Sequence, residues 1–137
     1  MSKYKIVNAN DVKDVYQGSS VPGEFRSLTK DLDSDQLAVT LIRIPPHSDF
    51  EQSTGHYHDD TEEIYIITRG LLTMRFDDDI HQVGAGSVVR VAPGTKRSHR
   101  NEHEETVEMW AVSRKGGHDA HKITDFWKAS DKAKQTR

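Results

Sequence analysis

His56, His58 and Glu63 bring two imidazoles and a carboxylate into one short stretch of the chain. In an extended segment residues i and i+2 face the same way, so His56 and His58 present their rings side by side. Glu63 adds a carboxylate from the start of the apolar segment that follows. Two neutral imidazoles and one carboxylate suit a divalent first-row metal and leave coordination positions for water or a substrate. The chain has no cysteine, which excludes disulfides, thiolate metal sites and cysteine nucleophiles. Any metal must then bind through His, Asp, Glu or water. A His-x-His pair alone is a weak signal, and the plain alternative is two solvated loop histidines. The context favours the metal, because the pair sits beside a turn and directly before a strand that opens with Glu62-Glu63.

The elements that must position these groups are short and β-like. Leu37 to Ile44 is rich in β-branched residues and is stopped by Pro45-Pro46. A polar loop, His47 to Gly55, leads to the histidines. Glu62 to Thr68 forms the next strand, and Arg69-Gly70 turns it into Leu71 to Phe76. The acidic turn Asp77-Asp78-Asp79 precedes Ile80 to Val83, and Gly84-Ala85-Gly86 precedes Ser87 to Val91. Thr106 to Ser113 is the last strong strand. Ahead of them, Tyr4 to Val7 reads as a strand-like piece, Asn10 to Val15 as a helical turn capped by Asn10 or Asp11, and Phe25 to Leu28 as an edge strand. Thr124 to Lys134 reads as a terminal helix that pins Phe126 or Trp127 to the body, or as a frayed tail. Short strands at regular spacing, with turn residues between them and no crossover helix, predict an all-β antiparallel sandwich or barrel.

At 137 residues the chain is expected to be one domain able to bury its own core. It is 34% hydrophobic and 30% charged with a net charge of −3, and it lacks a Lys/Arg run, which argues against a nucleic-acid surface. No apolar run approaches the roughly 18 residues of a membrane helix, and the N-terminal residues lack the apolar core of a signal peptide. The expected location is the cytoplasm.

The segment from Leu37 to Val112 resembles the cupin superfamily of small jelly-roll barrels. The first cupin motif is His-x-His, three or four residues, Glu, six residues, Gly. Here His56 and His58 are followed by four residues, Glu63, six residues and Gly70. The glycine usually found six before the first histidine is replaced by Phe50. The second motif matches less well. Gly86, Gly94 and Asn101 align, Ala92 stands where proline is usual, and Arg97 stands where the family has its last metal-binding histidine. His99 lies two residues later and shares a face with position 97 if the chain is extended.

The resemblance implies a double-stranded β-helix barrel spanning 37–115, with 1–36 packing on it or on a dimer partner and 116–137 as an extension. It also implies a homodimer and a divalent transition metal (Mn, Fe, Ni or Zn) held by His56, His58, Glu63 and His99. A second arrangement stays open, in which Arg97 takes the inner position and the pocket binds an anion. A guanidinium has no lone pair for a metal. Tyr65 shares the inward face with Glu63 and, with Arg97, is a candidate substrate contact, although a core tyrosine is the plainer reading. Glu62 alternates with Glu63 and should face away. Arg43 and Arg75 are candidates to point inward or to cover apolar surface. His47, His81, His103, His118 and His121 read as loop or surface residues.

The fold hosts many chemistries. The expectation is a metal-dependent enzyme, dioxygenase- or isomerase-like, acting on a small organic acid or sugar-like molecule. The alternative is a non-catalytic small-molecule sensor with a degenerate metal site.

Overall fold

The computed structural model describes residues 3–127. Among the described residues, ten strands form two five-stranded antiparallel sheets. They are β1 (Glu24–Ser27), β2 (Leu37–Ile44), β3 (Gly55–His58), β4 (Glu63–Arg69), β5 (Leu71–Phe76), β6 (Asp79–Gly84), β7 (Val88–Val91), β8 (Arg97–Arg100), β9 (Val107–Arg114) and β10 (Ala120–Ile123). One sheet runs β1-β2-β9-β4-β7 and the other β10-β3-β8-β5-β6. This is the expected double-sheet barrel, a double-stranded β-helix.

Side-chain alternation builds the interior. On β9, Val107, Met109 and Ala111 are buried while the residues between them are half-buried. With Ile42, Ile44, Tyr65, Ile67, Leu72, Met74 and Val91 they form the core between the sheets. Gly70 links β4 to β5 at φ 83°, and a Cβ there would meet the Thr106 carbonyl oxygen at 2.7 Å, so only glycine fits. The two-residue turn Asp77-Asp78 joins β5 to β6, with Phe76 paired to Asp79.

Segments on both sides of the barrel core, up to Trp127, pack onto it. β1 adds to the edge of β2. The outward Leu41 is covered by Val12 and Leu28, with Val7 and Leu32 packed around them. On the C-terminal side Phe126 and Trp127 are buried. Trp127 Nε1 donates to Ser98 Oγ at 2.7 Å, which explains why β8 is buried on both faces.

Several local expectations differ. No strand forms at 4–7, where Tyr4 and Ile6 are exposed and no neighbouring strand is paired. The helical turn is a 3₁₀ turn at Ala9–Asp11, capped by the side chain of Asn8 rather than by Asn10 or Asp11. β3, β8 and β10 escape apolar periodicity because the faces they turn inward carry the polar site. The expected terminal helix falls mainly beyond Trp127, outside the described residues. Among the described residues no helix is long and apolar enough to cross a membrane.

Candidate metal centre

The site lies where β3 meets β4, β8 and β10. Antiparallel partners directly opposite each other share a face, and His56 stands opposite Arg97 on β8 and Lys122 on β10. His58 lies two residues on, opposite Ala120, and turns to the same side. Glu63 is the first residue of β4 and points in from the facing sheet. One ligand atom from each of His56, His58 and Glu63 falls within 4.8 Å of the others, and all three side chains are half-buried. Glu62 faces away, and its carboxylate meets Arg90 at 3.3 Å.

Each donor is held by a neighbour. His58 Nδ1 lies 2.9 Å from Asp119 Oδ1. A carboxylate only accepts, so this contact puts the proton on Nδ1 and leaves the Nε2 lone pair for a metal. Asp119 Oδ2 accepts the backbone N–H groups of Asp60 at 2.7 Å and Thr61 at 2.9 Å, so one carboxylate both closes the β3–β4 turn and orients the imidazole. The Asp60 N–H, followed by His58, holds the Asp119 carboxyl well below its usual range. Asp119 belongs to the expected extension, and no local motif marks it. The signal available in sequence was only an acid beside the 118–121 histidines.

His56 Nδ1 sits 3.7 Å from Glu51 Oε2, and its Nε2 sits 3.8 Å from Glu63 Oε1. Burial pulls the His56 pKa down most strongly. The contacts with Glu51 and Glu63 outweigh burial and the repulsion of Arg97, so the net shift is upward. The Glu63 Oε1 atom accepts from Tyr65 O–H and from Arg97 Nη2, each at 2.5 Å. Both bonds fall on Oε1 and leave Oε2 for a ligand. Burial raises the Glu63 pKa, but His56, Tyr65 and Arg97 together bring it down to about 2. Burial and the adjacent Glu63 charge push the Tyr65 phenol well above 10, so it acts as a hydrogen-bond donor.

Arg97 and His99 both turn inward, yet neither joins the three-residue cluster. Arg97 is 1% exposed and spends its nitrogens internally: Nη2 on Glu63, Nε on Tyr65 Oη at 3.3 Å and Nη1 on the Thr95 carbonyl at 3.1 Å. His99 is 5% exposed, and its Nε2 lies 2.9 Å from Glu51 Oε1. Burial works to raise the Glu51 pKa, and the attraction of His99 followed by the His56 contact reverses this, bringing it to about 2. Glu51, like Asp119, was not among the sequence-derived candidates. It sits in the loop before β3, where only the fold turns it toward two histidines.

The remaining candidates are structural or superficial. Arg75 donates to the Phe126 carbonyl at 2.5 Å and lies over the Phe126 ring. Arg43 bridges Glu108 and Glu24. His47 meets Glu104 at 2.6 Å on the surface, His103 meets Gln82 at 2.6 Å, and His121 stacks on Tyr57 and contacts Asp59.

A pocket of about 630 Å³ opens onto this site. Its polar floor is Glu51, His56, Glu63, Tyr65 and His99. Its wall is aromatic: Phe25 stacks on Phe50 at 6.4 Å between ring centroids, and Tyr16 meets both rings edge-on.

The donor set fits a metal on its own chemistry. It has two imidazoles and a carboxylate at mutual reach, one imidazole with its tautomer fixed, and a carboxylate ionised at neutral pH with a free oxygen.

Comparisons with known proteins agree with this architecture. No curated protein matches the chain. The chain is similar in structure to a cupin protein from Bacteroides fragilis, with 20% identity, a TM-score of 0.68 and coverage of 99% of this chain and 100% of that one. It is also similar to the polyketide cyclase RemF from Streptomyces resistomycificus, with 18% identity, a TM-score of 0.69 and coverage of 91% and 87%. A sugar phosphate isomerase of the cupin superfamily from Silicibacter pomeroyi matches at 19% identity and a TM-score of 0.67, covering 82% of this chain and 76% of that one. At these identities the likeness is one of fold. A family profile described as the cupin domain matches residues 40–113, more than half of the chain. With two antiparallel sheets closed into a barrel around that segment, the chain belongs to the cupin family.

Proposed function

We propose that the protein is a metal-dependent enzyme that binds a divalent transition metal through His56, His58 and Glu63 and acts on a small organic molecule in the adjoining pocket. The observation that carries this reading is the meeting of three donor atoms within 4.8 Å, two of them on His56 and Glu63, which line a pocket large enough for a substrate. When bound, such a metal supplies Lewis-acid polarisation of a substrate oxygen or, as iron, activation of dioxygen.

The chain's own residues supply the rest. Asp119 orients His58, while Tyr65 and Arg97 hold Glu63 ionised and aimed inward. The aromatic wall excludes water from one side of the ligand. His99 lies on the same floor but engages Glu51, so its service as a further ligand requires that contact to open. Association as a homodimer belongs to the same proposal and rests on family membership, and a monomeric mass by light scattering would remove it.

A second reading is a non-catalytic small-molecule binder. The observation in its favour is that Arg97 already neutralises Glu63, which weakens that carboxylate's attraction for a cation. Metal analysis of the purified protein separates the two. Stoichiometric Mn, Fe, Ni or Zn that is absent from His58→Ala supports the enzyme. Protein that stays metal-free after incubation with each ion supports the binder.

A further inference from the structure

The pocket beside the metal cluster has a second pole. Lys122 lines it, projecting from β10 directly opposite His56, and among the described residues its ammonium meets no carboxylate or other partner. Every other charge at the pocket is answered. Glu63 is paired with Arg97 at 2.5 Å, and Glu51 is held between His99 at 2.9 Å and His56 at 3.7 Å. The unanswered charge is therefore a cation beside the cluster. A divalent metal on His56, His58 and Glu63 would add positive charge next to it, since Glu63 is the only carboxylate in that set and Arg97 already balances it.

Across from Lys122 the pocket changes character. Phe25 and Phe50 lie nearly parallel, 10° apart, and Ile42 and Ala111 continue this apolar side. Phe50 is 8% exposed and also stacks over His99. A surface of aromatic rings beside an unpartnered ammonium recognises a flat apolar body that carries an acid group.

We infer that the ligand of this pocket is a planar, unsaturated or aromatic carboxylic acid. Lys122 binds its carboxylate next to the metal cluster, and Phe25 and Phe50 receive its ring system. The assignment rests on the metal-dependent reading above and narrows its substrate class. It disfavours a sugar phosphate, which has the charge but not the flat apolar body.

The test uses the full chain loaded with Zn²⁺, its metal content measured first, and titrates three probes by calorimetry: 2-naphthoate, 2-naphthamide and glucose 6-phosphate. The expected result is that 2-naphthoate binds at least about ten-fold more tightly than either of the others, a difference of about 1.4 kcal/mol. Lys122→Gln should remove most of that advantage and leave 2-naphthamide binding unchanged. Phe50→Leu should weaken both naphthyl probes alike. Equal affinity for naphthoate and naphthamide, or an unaltered naphthoate affinity in Lys122→Gln, would overturn the role of the lysine. Glucose 6-phosphate binding as tightly as naphthoate would overturn the planar class. Protein that takes up no Zn²⁺ defeats the metal-dependent reading instead, and the prior metal measurement separates that failure from the other two. Lys122 is an exposed residue at the pocket mouth, so its replacement leaves the fold intact, and a circular dichroism melt of the variant verifies this.

Discussion

Glu63 and Glu51 line the same pocket, both ionise at about pH 2, and they are held in different ways. Glu63 stands on a central strand and accepts from a buried guanidinium and a phenol. Glu51 stands on a loop and faces only imidazoles. That loop contains three non-glycine residues at positive φ, His47 (50°), Gln52 (54°) and Ser53 (67°). Such a run is costly and persists because surrounding contacts enforce it. The Ser53 carbonyl accepts the Phe126 N–H at 2.9 Å, and Ser53 N–H is held by Asp49 at 2.7 Å. A ligand atom for a metal needs a fixed position, and the strand with its permanent cation provides one. A carboxylate whose partners are themselves titratable changes character with pH and with whatever enters the pocket.

Breaking the permanent cation should have the largest effect. Arg97→Met removes the guanidinium from the Glu63 carboxylate and leaves it the Tyr65 O–H as its hydrogen-bond donor, and loss of one member of a buried pair costs about 3–5 kcal/mol. Urea unfolding of the metal-free protein measures this. A loss under about 1 kcal/mol would mean the pair is solvated and the contrast with Glu51 is false.

The next effect is on the metal. Asp119→Asn removes the carboxylate that fixes the His58 tautomer, and such a change typically lowers metal affinity about 10–100-fold. Chelator competition against the wild-type chain reads it directly. Unchanged affinity would show that His58 needs no orienting partner.

The acid dependence of stability sharpens the comparison further. Both carboxylates have folded pKa values depressed below 4.5. Their contribution is therefore complete above the unfolded value and is lost as pH falls from about 4.5 towards 2. His56 has the opposite sign, since its raised pKa makes its contribution complete below about 6.5 and lost as pH rises through the folded value. Glu51→Gln should flatten the acid limb of the stability profile of the metal-free protein, by about 1–3 kcal/mol between pH 5 and pH 2.5. It should also remove part of the His56 limb. Matching profiles for wild type and variant would place Glu51 in solvent.

The smallest expected effect tests what holds the loop. Trp127→Phe deletes the indole N–H bond to Ser98 Oγ while keeping an aromatic ring over Arg100, and should cost about 1 kcal/mol in thermal or urea unfolding. No change would make the C-terminal segment a passive cover.

The parts of the chain that were legible without coordinates are those with local signals. Leu37 to Ile44 is rich in β-branched residues and Thr106 to Ser113 in residues of high strand propensity, and the two pair from Leu37 opposite Arg114 to Ile44 opposite Val107. Gly70, Pro45-Pro46 and the aspartate turn punctuate them as their backbone chemistry demands. Glu63 rather than Glu62 faces the histidines because a strand alternates. The strands that were not legible are the ones that build the site. β3 is Gly-His-Tyr-His and β8 is Arg-Ser-His-Arg, and neither has apolar residues whose period could be read. Gly55 is itself an example, since a Cβ there would meet Phe126 at 2.6 Å, a contact between residues far apart in sequence.

Sequence alone determined the barrel and the His56-His58-Glu63 donor set, because strand alternation, turn chemistry and motif spacing all act over a few residues. Tertiary structure alone decided the partners. Arg97 and His99 share an inward face, as extended geometry requires, but only the positions of β4 and of the 47–54 loop send Arg97 to Glu63 and His99 to Glu51. Asp119 behind His58 and Lys122 beside His56 depend on β10 pairing with β3. The reason is physical: a side chain's facing follows from its own backbone, whereas its partner is set by where a distant segment packs.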